Sequence, residues 1–145
     1  MLMRTQSLAH STYQHQYHLV WGTKYRRKWL KEYVKADLLE SFLSTIKRHP
    51  TLHICALNID NDHLHLQIEI PPDMAVCEVV QLLKQNSSRS LKKRFAFIRR
   101  MYIENSIWSV GYFSSTIGIN EELIRRYIEY QGKKEKPEQI NLGFS

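Results

Sequence analysis

Cysteine, glycine and proline are scarce in this 145-residue chain, which holds 2 Cys, 5 Gly and 4 Pro. Cys55 and Cys77 are too few for a disulfide framework or a cysteine-rich zinc site. No apolar run approaches the roughly 18 residues that a transmembrane helix needs. Residues 1–14 also lack the apolar core of a signal peptide, so the expected setting is cytoplasmic and reduced, with no membrane partner. Internal repeats and low-complexity tracts are missing as well. Acid is in short supply: 14 Asp plus Glu face 21 Lys plus Arg, a formal charge of +7. That excess favours a polyanionic partner, nucleic acid ahead of a lipid surface. At this length one domain is expected, able to bury about 70% of its unfolded surface.

The charge is unevenly laid out. Lys24, Arg26, Arg27, Lys28 and Lys31 fall in one stretch without an acid. Lys84, Arg89, Lys92, Lys93, Arg94, Arg99 and Arg100 fall in a second. Between them, residues 49–83 contain no Lys or Arg but hold Asp60, Asp62, Glu69, Asp73 and Glu78 and four of the seven histidines. A run of like charge is usually a solvated face. Here, however, Tyr25, Trp29, Phe95, Phe97 and Tyr102 interleave the basic residues. Rings and guanidinium planes stack on unpaired bases while Lys and Arg follow a phosphate backbone. Nucleic-acid binding is the expected consequence.

Hydrophobic periodicity lays out the elements. Residues 17–21 read as a strand ended by Gly22. Val34, Leu38, Leu39, Phe42, Leu43 and Ile46 mark an amphipathic helix over 34–48, with Pro50 beyond it. Two strand-like runs, 52–59 and 63–70, flank Asp60-Asn61-Asp62, which is turn chemistry, so a hairpin is predicted. A second helix is predicted from about Met74 through the nineties, and a strand over 107–114. A last helix should start near Asn120, with Glu121 and Glu122 complementing its dipole, and end near Gly132. Residues 1–132 then make one domain, and 133–145 a charged tail. The order matches a ferredoxin-like α+β fold, shared with RNA-recognition modules, with helices on one face of an antiparallel sheet and an extra C-terminal helix.

His63-Leu64-His65 carries the sharpest chemical signal. Side chains on a strand alternate, so both imidazoles share one face while Leu64, Leu66, Ile68 and Ile70 line the other. Two imidazoles at that spacing can share a divalent metal if a third ligand arrives from elsewhere. Standing alone, the pattern more often marks a solvated sheet face; Gln67 and Glu69 make this face polar throughout. The stretch also brings no Lys or Arg to repel a cation. In the last helix Tyr127 and Gln131 lie four apart and share a face. A phenol with an ordinary pKa near 10 needs activation to act as a nucleophile, and Gln131 offers an amide oxygen as ligand. Leu123, Ile124, Tyr127 and Ile128 equally make an apolar stripe, and spacing does not separate Tyr127 from Tyr130. His18, on the first strand, reads as a core histidine rather than a partner of the motif.

These residues together resemble the single-tyrosine transposases of the HUH class, the small TnpA proteins of prokaryotic insertion sequences. The resemblance runs from about Tyr17 to Gln131. It rests on four segments: residues 17–21 with 24–28, His63-Leu64-His65, Trp108 to Gly118, and Tyr127 followed four residues later by Gln131. It implies that His63, His65 and Gln131 hold Mg²⁺ or Mn²⁺ and that Tyr127 attacks a phosphate of single-stranded DNA, leaving a 5′-phosphotyrosine and a free 3′-hydroxyl. It also implies hairpin DNA on a basic surface and a homodimer with composite active sites. Gly118 would be a hinge to the tyrosine helix. Lys24, Arg26, Arg27, Lys28, Arg89, Lys92, Lys93 and Arg94 are the expected DNA contacts. From ligand chemistry alone, Mn²⁺ ranks at least level with Mg²⁺, because imidazole suits it better. Two rivals are a non-enzymatic nucleic-acid-binding module on the same fold and a domesticated relative that processes chromosomal repeats. The first would display aromatics where His63, His65, Gln67 and Glu69 stand.

Overall fold

A computed structural model describes residues 16–116 and 125–130. Four strands form one antiparallel sheet: β1 (Gln16–Gly22), β2 (His53–Ile59), β3 (His63–Glu69) and β4 (Phe113–Ser115), in the spatial order β2-β3-β1-β4. Two long helices, α1 (Glu32–Arg48) and α2 (Val76–Arg94), and a short α3 (Ala96–Met101) complete the described elements. This is the α+β, ferredoxin-like arrangement expected from the element order. The β2–β3 hairpin brings β3 to the sheet's centre, where it pairs with β1 along its whole length, from Gln16↔Glu69 to Gly22↔His63.

Alternation along the central strands decides what each face does. Leu19 and Trp21 on β1, with Leu64, Leu66 and Ile68 on β3, are buried in the core. Val34, Leu38 and Phe42 of α1 and Val79, Val80 and Leu83 of α2 complete that core. Trp21, Trp29 and Trp108 lie within 5.6–6.1 Å of one another, Trp108 being common to both contacts. Two of the three polar edges are provided for: the Trp29 indole N–H donates to Tyr102 Oη at 2.9 Å, and that of Trp108 donates to Ser87 Oγ at 2.9 Å. A buried indole whose N–H finds an acceptor keeps its apolar contribution without a desolvation penalty.

Two expectations need correction. The strand expected over 107–114 is only Phe113–Ser115. Gly111 sits at φ 91°, a left-handed turn that takes the chain out of a ladder. Before it, Trp108 makes a single antiparallel bridge to Thr23 as its ring enters the core. The helix expected to run through the nineties stops at Arg94, because Phe95 turns to an extended backbone (φ −116°, ψ 111°) before α3 begins. Neither Gly nor Pro marks that bend. Phe95 instead joins Tyr33 and Phe97 in a ring cluster with centroids 5.8–6.3 Å apart, a tertiary contact with no local signature. Of the expected last helix, residues 125–130 are helical. Asn120, Gly118, Gln131 and the tail at 133–145 lie outside the described residues.

Candidate active site

The histidines stand on the sheet face turned away from α1 and α2. Cross-strand partners share a face, so the register lays out a row running from Asn58 on β2 through His65 on β3 and Val20 on β1 to Phe113 on β4. His63 and His65 are neighbours in that field, their ring centroids 5.2 Å apart. The face is not simply solvated. Val20 is fully buried, and Glu69, expected on a polar surface, is buried as well.

The tyrosine segment lies against this same face. The Tyr127 ring packs on Phe113 at 6.2 Å, tilted by 51°. Arg26 donates from Nη1 to the carbonyl oxygen of Ile128, in the same helical turn. The structure therefore brings the expected nucleophile to the sheet row that carries His65. Tyr130, the alternative nucleophile by spacing, is exposed at 59%. That difference separates the two tyrosines where sequence spacing does not.

Both motif histidines are held by polar neighbours, His63 through both ring nitrogens. His63 Nδ1 lies 2.8 Å from Asp62 Oδ1. Its Nε2 lies 3.2 Å from Asp60 Oδ2, so the ring sits between two carboxylates. His65 Nδ1 lies 3.4 Å from His18 Nε2. Burial pushes the His18 pKa below 6.5, so His18 is a neutral partner able to accept. His18 was expected in the core. It is buried, and it also orients the motif from the neighbouring strand.

This donor set fits a divalent cation. Two imidazoles share a face, the Nδ1 atoms of His63 and His65 are each tied back to the protein, and His63 Nε2 and Asp60 Oδ2, 3.2 Å apart, are a nitrogen and an oxygen that one cation could share. No group of three His, Cys, Asp or Glu among the described residues could hold a metal without further help. A third ligand then comes from another residue type or from outside the described residues, where Gln131, the one expected, lies.

Asp62 is the functional residue that sequence reasoning missed, having been read as turn chemistry. It is buried, with a different partner on each carboxylate oxygen: His63 on Oδ1, and Arg26 on Oδ2 through Nη2 at 2.7 Å and Nε at 3.2 Å. Burial by itself would raise the Asp62 pKa. The His63 hydrogen bond and the charge and hydrogen bonds of Arg26 outweigh it, and the net shift is below 3.8. A carboxylate directly preceding the first histidine was the available signal, because a metal-binding imidazole usually donates its other N–H to such a group.

The basic residues divide into two sets. Arg26, Arg27 and Lys28 line an open cleft with Lys31, Phe97 and Met101, which joins the first basic stretch to the end of the second. Lys24 and Arg27 both lie 5.3 Å from the Tyr25 ring. Arg89 and Lys92 line a separate groove between α2 and residues 103–112. Lys93 is exposed, and Arg94 is exposed beside Asp37 at 3.5 Å.

A small α+β domain with this sheet, the paired histidines and a tyrosine segment on their face belongs with the tyrosine transposases. A family model described as IS200-like transposase matches residues 11–131, and the chain belongs to that family. It is 32% identical over 139 residues to the transposase of insertion sequence IS200 from Salmonella typhimurium, covering 95% of this chain and 91% of that one. It is 32% identical over 124 residues to the ISDra2 transposase TnpA of Deinococcus radiodurans, covering 85% and 88%. A solved Deinococcus radiodurans structure assigned as a transposase superposes with a TM-score of 0.76 at 25% identity, covering 90% of this chain and 98% of that one. The fold also matches a REP-associated tyrosine transposase bound to a REP hairpin, with a TM-score of 0.54 at 13% identity, covering 87% and 68%. No helix among the described residues is long and apolar enough to cross a membrane.

Proposed function

We propose that this transposase cleaves and rejoins single-stranded DNA at insertion-sequence ends, with Tyr127 as nucleophile and His63, His65 and Gln131 as the metal-binding set. The observation that carries this reading is the packing of Tyr127 on Phe113, in the row of side chains that includes His65. The phenol oxygen forms a bond to phosphorus and loses its proton, and the 3′ oxygen leaves as a hydroxyl. A second 3′-hydroxyl then attacks the phosphotyrosine and releases Tyr127. One phosphoester is exchanged for another in each step, so no external energy source is needed. Mg²⁺ or Mn²⁺, when bound, would polarise the phosphate and offset its developing charge.

Hairpin DNA is the proposed substrate form, supported by the hairpin on the REP-associated neighbour and by the basic, aromatic-laced surfaces here. Lys24, Arg27, Lys28, Arg89, Lys92, Lys93 and Arg94 are the proposed grip. A homodimer with composite sites completes the proposal: two copies would supply a second strand-holding surface, and the docking that the tyrosine turn makes within one chain here would be made on the partner's histidine pair.

Incubation with a hairpin-bearing single strand and Mn²⁺ should give a protein–DNA adduct that survives denaturation. Tyr127→Phe should abolish it, and chelation should stop it in the wild type. An undiminished adduct in Tyr127→Phe transfers the role to Tyr130. Wild-type binding without any cleavage would replace the enzyme with a binding module.

A further inference from the structure

Arg26 is placed by an unusual piece of backbone. Tyr25 and Arg26 both have positive φ, 62° and 54°, within the short helical turn Lys24–Arg26. Non-glycine residues in that region are strained and persist where their surroundings impose them. Here the conformation sends the Arg26 side chain back over the end of β1. Gly22 lies beneath it: a Cβ there would meet Arg26 Cδ at an ordinary contact distance of 3.5 Å and crowd the Asp62 carbonyl oxygen at 3.2 Å. Gly22 is also the cross-strand partner of His63, so the guanidinium lies beside the first motif histidine.

Its donors are then divided between two elements. Nε and Nη2 go to Asp62 Oδ2, whose other oxygen holds His63 Nδ1. Nη1 goes to the carbonyl oxygen of Ile128 in the tyrosine turn. Arginine suits this position because its planar fork carries several donors at fixed angles; a lysine ammonium is a single point charge.

We propose that Arg26 is a positioning residue that latches the tyrosine helix to the Asp62–His63 pair, rather than a DNA contact. One guanidinium sets both the orientation of a metal-binding imidazole and the docking of the nucleophile's helix. The inference rests on the proposed strand-cleavage reading for its catalytic consequence, but the latch itself is a property of the DNA-free protein.

The test uses Arg26→Lys and Arg26→Ala in the full chain. Arg26→Lys keeps a charge for Asp62 but cannot also reach Ile128. Amide hydrogen exchange over residues 125–130, without DNA or metal, should accelerate about tenfold or more in both variants, as expected when a charge-assisted hydrogen bond is lost. Exchange in β1 and β3 should stay within twofold of wild type in Arg26→Lys. Cleavage should fall about 10–100-fold, the usual consequence of losing a group that orients a ligand. Hairpin affinity and its salt slope should not change. Unaltered exchange at 125–130 in Arg26→Lys overturns the latch. So does a fall in hairpin affinity with a salt slope reduced by about one, which would make Arg26 a phosphate contact. If the wild type never cleaves DNA, the strand-cleavage reading fails while the exchange result still decides the latch.

Discussion

The two faces of the central sheet are built from alternate residues of the same strands and are held together in opposite ways. On the helix side, Leu64, Leu66 and Ile68 meet Leu19, Trp21 and the stripes of α1 and α2 in a continuous apolar core. On the other side, His63, His65 and His18 are oriented by directional polar contacts, and the tyrosine turn meets the sheet through the Phe113 ring and the Arg26 hydrogen bond. Apolar packing is non-directional and sums over many small contacts. Polar contacts fix angles but contribute little net stability each. The helix side therefore carries the fold, while the histidine side carries geometry at little cost in stability. Such a division lets a domain of this size keep an active site without weakening its core.

Adjacent residues on β3 offer the most direct way to break this division. His65→Ala should reduce DNA cleavage more than about 100-fold, beyond the range seen when only an orienting partner is lost. Its melting midpoint should stay close to wild type, since the ring is only partly buried. Leu66→Ala, one residue along and facing the core at 0% exposure, should cost about 2–5 kcal/mol of stability. Its cleavage per folded molecule should be retained. Denaturant unfolding and single-turnover cleavage of both variants check the pair. A large stability loss in His65→Ala would mean that the histidine face is structural as well.

Much of this contrast was legible in the sequence, and the rest was hidden for identifiable reasons. Strict alternation over residues 63–69 and the Asp60-Asn61-Asp62 turn announced the hairpin, because period and turn chemistry are local properties. The tyrosine turn and the histidine motif were paired through family resemblance, since nothing local says that residues more than sixty apart share a face. Asp62 was hidden because its turn role and its buried role use the same residue. Arg26 was hidden inside a basic run, where charge alone makes every member look like a phosphate contact. Residues 49–83 bring no Lys or Arg of their own to the histidines. The fold instead returns Arg26 to within 2.7 Å of Asp62. Linear charge segregation does not survive a β-turn.

A smaller effect should follow from Gly22→Ala. The added methyl meets the Asp62 carbonyl oxygen at 3.2 Å, and that oxygen already accepts from the Thr23 N–H at 2.9 Å. The backbone at Asp62 must give by a few tenths of an ångström, which carries the carboxylate and His63 with it. A destabilisation of about 1–2 kcal/mol is expected from such overpacking. Cleavage should fall several-fold while hairpin binding persists. Denaturant melts paired with cleavage rates check this, and unchanged cleavage would show that the Asp62–His63 geometry tolerates displacement.

The smallest predicted change concerns residues that belong to neither face. Lys93 and Arg94 end α2 and are exposed, with only Asp37, at 3.5 Å, as an acidic neighbour of Arg94. An exposed pair at that distance contributes little to stability, so Lys93→Gln with Arg94→Gln should melt within about 0.5 kcal/mol of wild type. If this end of α2 holds the hairpin backbone, each lost phosphate contact lowers the slope of log affinity against log salt by about 0.9. The double variant should then lose up to about two units of slope, with cleavage at saturating DNA unchanged. Affinity measured on a hairpin strand across a salt series is the check. An unchanged slope would leave the cleft of Arg27, Lys28 and Lys31 or the groove of Arg89 and Lys92 as the surface that grips DNA. Either result locates the strand relative to the histidine face by electrostatics alone, because these substitutions touch neither the core nor the tyrosine turn.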